Sequence, residues 1–164
     1  EHFDAARAAG LKSVPHAGET TGAQTVWDAL DVLGADRIGH GTSSAQDPVL
    51  LAHLAQLGVP LEVCPSSNVA TRAVESLDAH PITAFRDAGV TVTINSDDPP
   101  MFGTDLNREY EIAAELLELD EAGVAELAVA AVDASFAPEA VKAELRTDIA
   151  THLAAGWAAE GDLT

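Results

Sequence analysis

Half of a barrel built from strand–helix units, about four parallel strands with closing C-terminal helices, is the α/β fold class that the sequence predicts. Three observations point there. Strand-like and helix-like segments alternate four times, a pattern that belongs to parallel sheets with crossover helices. The residues that end the first three strand-like runs, His16, His40 and Cys64, fall 24 residues apart, and Asn95 follows Cys64 by 31. Every run stops at polar or ionisable side chains rather than at plain turn residues. In a barrel of this kind functional groups collect on the loops after the strands. An open doubly wound sheet shares the alternation, but no glycine-rich phosphate loop follows any of these runs. Residues 1–164 read as a single partial domain, without a linker, a solenoid repeat or a low-complexity tract.

Each element has its own signal. Glu1 to Gly10 looks like the tail of a helix, stopped by Gly10. Leu11 to Pro15 is a short apolar run that leads into His16-Ala17-Gly18-Glu19. Thr20 to Gly22 offer hydroxyl caps for a helix carrying Val26, Trp27, Leu30 and Leu33, closed by Gly34. Arg37-Ile38-Gly39-His40-Gly41 is the second run. Pro48 to Gly58 reads as a helix with proline early and glycine at its end. Leu61 to Cys64 is the third run, followed by Pro65-Ser66-Ser67-Asn68. A short helix over His80–Gly89 precedes Val90 to Ile94, a β-branched strand that ends at Asn95-Ser96-Asp97-Asp98-Pro99-Pro100. Helices are then expected over about 105–118, 121–135 and from Pro138 onward. Strands near 11–15, 36–39, 60–64 and 90–95 should be parallel neighbours in chain order.

The 164 residues are enough to bury a core, and 47% are hydrophobic with a mean hydropathy of +0.09, which excludes a disordered segment. Eight Lys and Arg against 27 Asp and Glu leave a formal charge of −19. Such a surface repels phosphate backbones, so duplex nucleic acid is excluded as a partner, as is docking to an anionic membrane. The longest apolar run, Leu127 to Val132, is far shorter than the ~18 residues a membrane span needs. One cysteine, Cys64, forms no internal disulfide, and no basic-plus-apolar leader opens the chain, which together suggest a cytoplasmic protein. Residue 1 is Glu and the sole methionine is Met101, so the chain reads as the later part of something longer.

The chemistry-bearing residues stand at the strand ends. His16 and Glu19, three apart across a glycine, can be aimed at one pocket by a single strand-to-helix corner. His40 lies between two glycines that clear room for close approach. Asp97 and Asp98 are adjacent and point in different directions, so one can face a metal while the other faces a ligand. Imidazole and carboxylate suit Zn²⁺, and a zinc-bound water with its pKa lowered toward ~7 supplies hydroxide at neutral pH. Each residue alone has a plainer role. Either His could be a hydrogen-bonded surface residue, Asp-Asp-Pro a helix start, and Glu19 a first-turn carboxylate. Their gathering at one end of consecutive strands is what favours a site. Cys64 reads as a small buried hydrophobe, His80 as a local structural residue beside Pro81, and His2, His53 and His152 carry no role.

Taken in order, His16-Ala17-Gly18-Glu19, Gly39-His40-Gly41, Cys64-Pro65-Ser66-Ser67-Asn68 and Asn95-Ser96-Asp97-Asp98-Pro99 resemble the motifs of the adenosine deaminase family of the amidohydrolase superfamily. The resemblance implies a TIM-type (β/α)8 barrel of which this chain is the C-terminal half, units 5–8. It implies one zinc and hydrolysis of a purine 6-amino group, with adenosine or 2′-deoxyadenosine as the leading substrate. Adenine and 6-aminodeoxyfutalosine are the alternatives within the family. By position, His16 and Asp97 resemble zinc ligands, and Glu19 the acid that protonates purine N1. His40 resembles the group that orients or deprotonates the water, Asp98 the contact to N7, and Gly18 a residue lining the purine site. The family's first-strand His-x-His pair is absent, so the remaining zinc ligands lie outside this chain. A non-catalytic fragment that pairs with another copy or with the missing half, or a metal-free binding remnant, are the other classes considered.

Overall fold

The computed structural model describes residues 2–156, so Glu1 of the first expected helix lies outside the described residues. Four strands form one sheet: β1 (His16–Ala17), β2 (Ile38–His40), β3 (Leu61–Val63) and β4 (Val92–Ile94). They lie in the order β1-β2-β3-β4 and every neighbouring pair is parallel. A doubly wound sheet would reverse its strand order at a switch point; this one does not. The helices are α1 (His2–Ala8), α2 (Gln24–Asp31), α3 (Pro48–Leu57), α4 (Pro65–Ala70), α5 (Ile82–Asp87), α6 (Pro99–Phe102), α7 (Leu106–Leu117), α8 (Glu121–Ala134) and α9 (Glu139–Ala155). Among the described residues no helix is long and apolar enough to cross a membrane.

The first strand corrects the expectation of 11–15. Regular pairing begins only at His16, because Pro15 has no N–H to donate to a ladder. The chain before it still runs along β2, since the Ser13 and Pro15 carbonyls accept from the N–H groups of Asp36 and Gly39. The hydroxyl caps of α2 are a second correction. Its N-cap is Ala23, without a side-chain bond. Thr25 instead turns its hydroxyl back, accepting from the Gly18 N–H at 3.0 Å and donating to the Gly22 carbonyl at 2.9 Å. Helix α3 follows its signal closely, with Asp47 accepting from the Val49 and Leu50 N–H groups, Pro48 in the first turn and Gly58 left-handed at the end. Pro138 stands just before α9 as its N-cap, not inside the first turn.

The core lies between sheet and helices: Val26, Ile38, Leu50, Leu54, Leu61, Val63, Ile82 and Phe85 are all fully buried. Strands β2 and β4 are buried at every position, as expected of a parallel sheet covered on both faces. Arg37 ties the sheet to the C-terminal helices. Its guanidinium pairs with Glu62 at 2.8 Å, donates to the Ala134 carbonyl at the end of α8, and lies 4.1 Å over the Phe136 ring. A cation at a helix C-terminus is favoured by the helix dipole.

His80 is buried in the turn before α5, where the Ile82 N–H donates to its Nδ1 at 3.2 Å. Burial lowers its pKa from the ordinary 6.5 to about 4. Between those values the unfolded chain binds a proton that the native chain does not, so stability falls as the pH drops. The stabilisation is complete above pH 6.5. Roughly 3 kcal/mol is expected to be lost by pH 4, at about 1.4 kcal/mol per unit. Urea unfolding at pH 7 and pH 4 checks this: His80→Gln is expected to remove most of that acid-dependent loss.

Candidate active site

The strand ends carry the candidate residues, and glycines let them meet. An ideal Cβ at Gly39 would lie 2.6 Å from Cδ2 of the His16 ring, so a side chain there would displace the imidazole. With glycine present, the His16 ring meets that of His40 edge-on, centroids 4.8 Å apart at 83°. Gly18 turns the chain with a φ of +65° and brings Glu19 back toward the rings. Gly18 itself is buried: its carbonyl accepts from the Thr42 hydroxyl and the Ser43 N–H, and a Cβ there would strike Val26. These contacts hold the turn that carries Glu19. His40 and Asp97 have φ of +63° and +55°, left-handed conformations uncommon for residues with a Cβ. Such backbone strain clusters at functional positions.

Donor atoms of His16, Glu19 and His40 all lie within 4.8 Å of one another. Glu19 Oε2 is 3.7 Å from His40 Nε2, and the other face of that ring, Nδ1, lies 3.0 Å from Asn68 Nδ2. Burial lowers the His40 pKa below its ordinary value, opposed by the charge of Glu19 and reinforced by that of His16. Asp97 stands outside the close trio, but it lines the same cavity of about 390 Å³ as His16 and His40. One of its oxygens accepts from the Ser67 hydroxyl at 2.6 Å. Glu19 also faces a second cavity of about 660 Å³, with Thr42, Ser43 and Arg72 on its wall. Asp98 is exposed and caps α6, accepting from the Met101 N–H at 3.2 Å. The helix-start role of Asp-Asp-Pro is thus present alongside the site. Cys64 is no nucleophile: burial and neighbouring carboxylates push its thiol up to about 12.

Two imidazoles and a carboxylate at one mouth, with Asp97 beside them, form a donor set of the kind zinc takes. Three further residues support the site without a signal of their own. Ser67 holds Asp97, Asn68 holds His40, and buried Glu109 accepts from the Ser66 N–H at 3.0 Å and from the Thr104 hydroxyl. The Pro65-Ser66-Ser67-Asn68 run contained the first two, but as the end of a strand and not as the helix α4 that aims them.

Parallel strands in chain order, with imidazoles and carboxylates gathered at one end, define part of a β/α barrel that carries its candidate functional groups at the strand ends. The family model described as adenosine deaminase matches residues 1–152, and the chain belongs to that family. An aminodeoxyfutalosine deaminase of Streptomyces avermitilis is 68% identical over 96% of this chain; the chain spans 44% of that relative's length. The crystal structure of an adenine deaminase from Arthrobacter aurescens matches with a TM-score of 0.86 at 38% identity, covering 91% of this chain and 46% of that one. A Burkholderia ambifaria amidohydrolase solved with bound Zn matches at TM-score 0.82 and 25% identity, over 91% of this chain and 42% of its own. The fold is half of a TIM-type barrel.

Proposed function

We propose that the protein to which this chain belongs hydrolyses the exocyclic amine of a purine, with aminodeoxyfutalosine as substrate. The close grouping of His16, Glu19 and His40, with Asp97 lining one cavity together with the two imidazoles, carries the reaction class. The substrate rests on the 68% identity to an aminodeoxyfutalosine deaminase, against 46% to an adenine deaminase. The relatives named for aminodeoxyfutalosine and adenine support those two alternatives better than adenosine or 2′-deoxyadenosine, the leading expectation from the motifs.

His16 and Asp97 are the proposed zinc ligands on this chain, completed by ligands from the rest of the barrel. Zinc, when bound, supplies an activated water for attack on the ring carbon that carries the amine. Attack builds negative charge on the purine, and a proton given by Glu19 to N1 stabilises it. Ser67 fixes the direction of the Asp97 carboxylate through its 2.6 Å bond. Asp98, whose Oδ1 caps α6, is the proposed contact to N7, and it needs a proton on Oδ2 to bond that acceptor. Glu19 lines the 660 Å³ cavity while its carboxylate stays within 4.8 Å of the donor atoms of His16 and His40, which line the 390 Å³ one; this supports an acid standing between metal and purine. A cytoplasmic setting is proposed on the same reading.

The test is ammonia release by the full-length protein from aminodeoxyfutalosine, adenine and adenosine in parallel. The expected kcat/KM is highest for aminodeoxyfutalosine, by at least ~10-fold, the scale a few pocket contacts provide. A higher value for adenine or adenosine overturns the substrate; no ammonia from any of the three overturns the deaminase.

A further inference from the structure

We propose that His80 and Asn68 are positioning residues that fix His40 as its Nε2–H tautomer, so that the ring presents a proton, not a lone pair, to the cavity. The inference rests on the deaminase reading for its catalytic meaning, but its geometry stands alone.

The chain of contacts begins at a group that has no choice of role. A backbone N–H only donates, and that of Ile82 points at His80 Nδ1 from 3.2 Å. Nδ1 is therefore the acceptor, and a neutral His80 carries its proton on Nε2. That nitrogen lies 3.2 Å from Asn68 Oδ1, which accepts. The amide of Asn68 is thereby oriented, because a flipped amide would set two donors against each other. Its NH₂ group must then face His40 Nδ1, at 3.0 Å. His40 Nδ1 accepts in turn, leaving the ring proton on Nε2, 3.7 Å from Glu19. All three side chains are buried, Asn68 completely, so water does not compete for these bonds. The lowered pKa of His80 keeps its ring neutral at ordinary pH, as the relay requires.

The consequence concerns the two roles open to His40. A neutral ring already protonated at Nε2 holds no lone pair there with which to take a proton from water. It donates a hydrogen bond into the site and orients what it meets. The ring's remaining basic atom faces the Asn68 amide, away from the cavity. Nothing local in the sequence announces this, since the relay joins residues 28 and 12 positions apart.

The experiment uses the zinc-loaded full-length protein, ¹⁵N-labelled at histidine. Long-range proton–nitrogen spectra distinguish the two tautomers, and both His40 and His80 are expected as Nε2–H. A proton on His40 Nδ1 in the wild type overturns the proposal. Asn68→Asp keeps the size of the side chain but sets an acceptor against Nδ1, so His40 is expected to gain an Nδ1 proton. The expected cost is ~10–100-fold in kcat, the scale for losing an outer-sphere partner, with KM changed much less. If that variant does not fold, the His80 pair decides: His80→Leu is expected to lose kcat similarly, and His80→Gln, whose NH₂ can still donate to Asn68, to recover most of it. Equal kcat in the Leu and Gln variants overturns the relay. The spectra report the tautomer even if no purine is turned over, so this inference and the proposed function fail separately.

Discussion

Glu19→Gln in the full-length protein is expected to lower the rate of ammonia release at least ~10²-fold, the scale on which a positioned general acid acts. The substitution keeps the shape of the side chain and removes only its ability to carry and deliver a proton. Glu19 is half-buried on the wall of the 660 Å³ cavity, its Oε2 3.7 Å from His40 Nε2. An amide there presents an oxygen of the same shape to His40 Nε2–H, so the rings should stay in place. Zinc content and thermal unfolding are therefore expected to match the wild type, which separates a chemical loss from a structural one. Near-normal turnover would mean that another donor protonates N1.

The 164-residue chain purified alone is expected to release no ammonia from any of the three purines and to self-associate. Each outer strand, β1 and β4, has one hydrogen-bonded neighbour in the described sheet. The backbone groups on their far sides invite another chain. Two proposed ligands, His16 and Asp97, hold metal weakly without the others and their supporting bonds. The chain also spans only 44% of its aminodeoxyfutalosine deaminase relative, so walls of the proposed purine site are expected from the rest of the barrel. Scattering-based mass, metal content and ammonia release measured on one preparation check the expectation. Zinc-dependent turnover by a monomer would show that this half contains a complete site.

Much of this architecture is legible along the chain, and the parts that are not share a physical cause. Strand β4 announces itself through β-branched Val90, Val92 and Ile94, and α3 through Asp47, Pro48 and Gly58, because those signals are local. Strand β1 is only two residues long and is recognised by its partner more than by its composition. Helix α4 has six residues and no apolar period; it is held from outside, through Glu109 and the Ser66 N–H. The candidate residues His16, Glu19, His40 and Asp97 were visible because functional groups at strand ends interrupt a pattern. Asn68 stands in the polar stretch after the third run, but neither it nor His80 carries a signal of what it touches. Their role exists only once α4 and the turn before α5 are folded against β2.

The left-handed backbone at His40 and Asp97 has a consequence for how this site can change over time. At most positions a sequence can drift through Val, Ile or Thr, but branching at Cβ is poorly tolerated where φ is positive. At these two positions the routes left open run through Gly, Asn and similar short side chains. For Asp97, the neighbour that the backbone accepts most readily is Asn, which preserves shape and discards charge. A lineage leaving catalysis would therefore tend to pass through folded, inert intermediates rather than broken ones. Laboratory libraries at 97 should show the same bias, with stable but inactive variants outnumbering unfolded ones among the short polar substitutions.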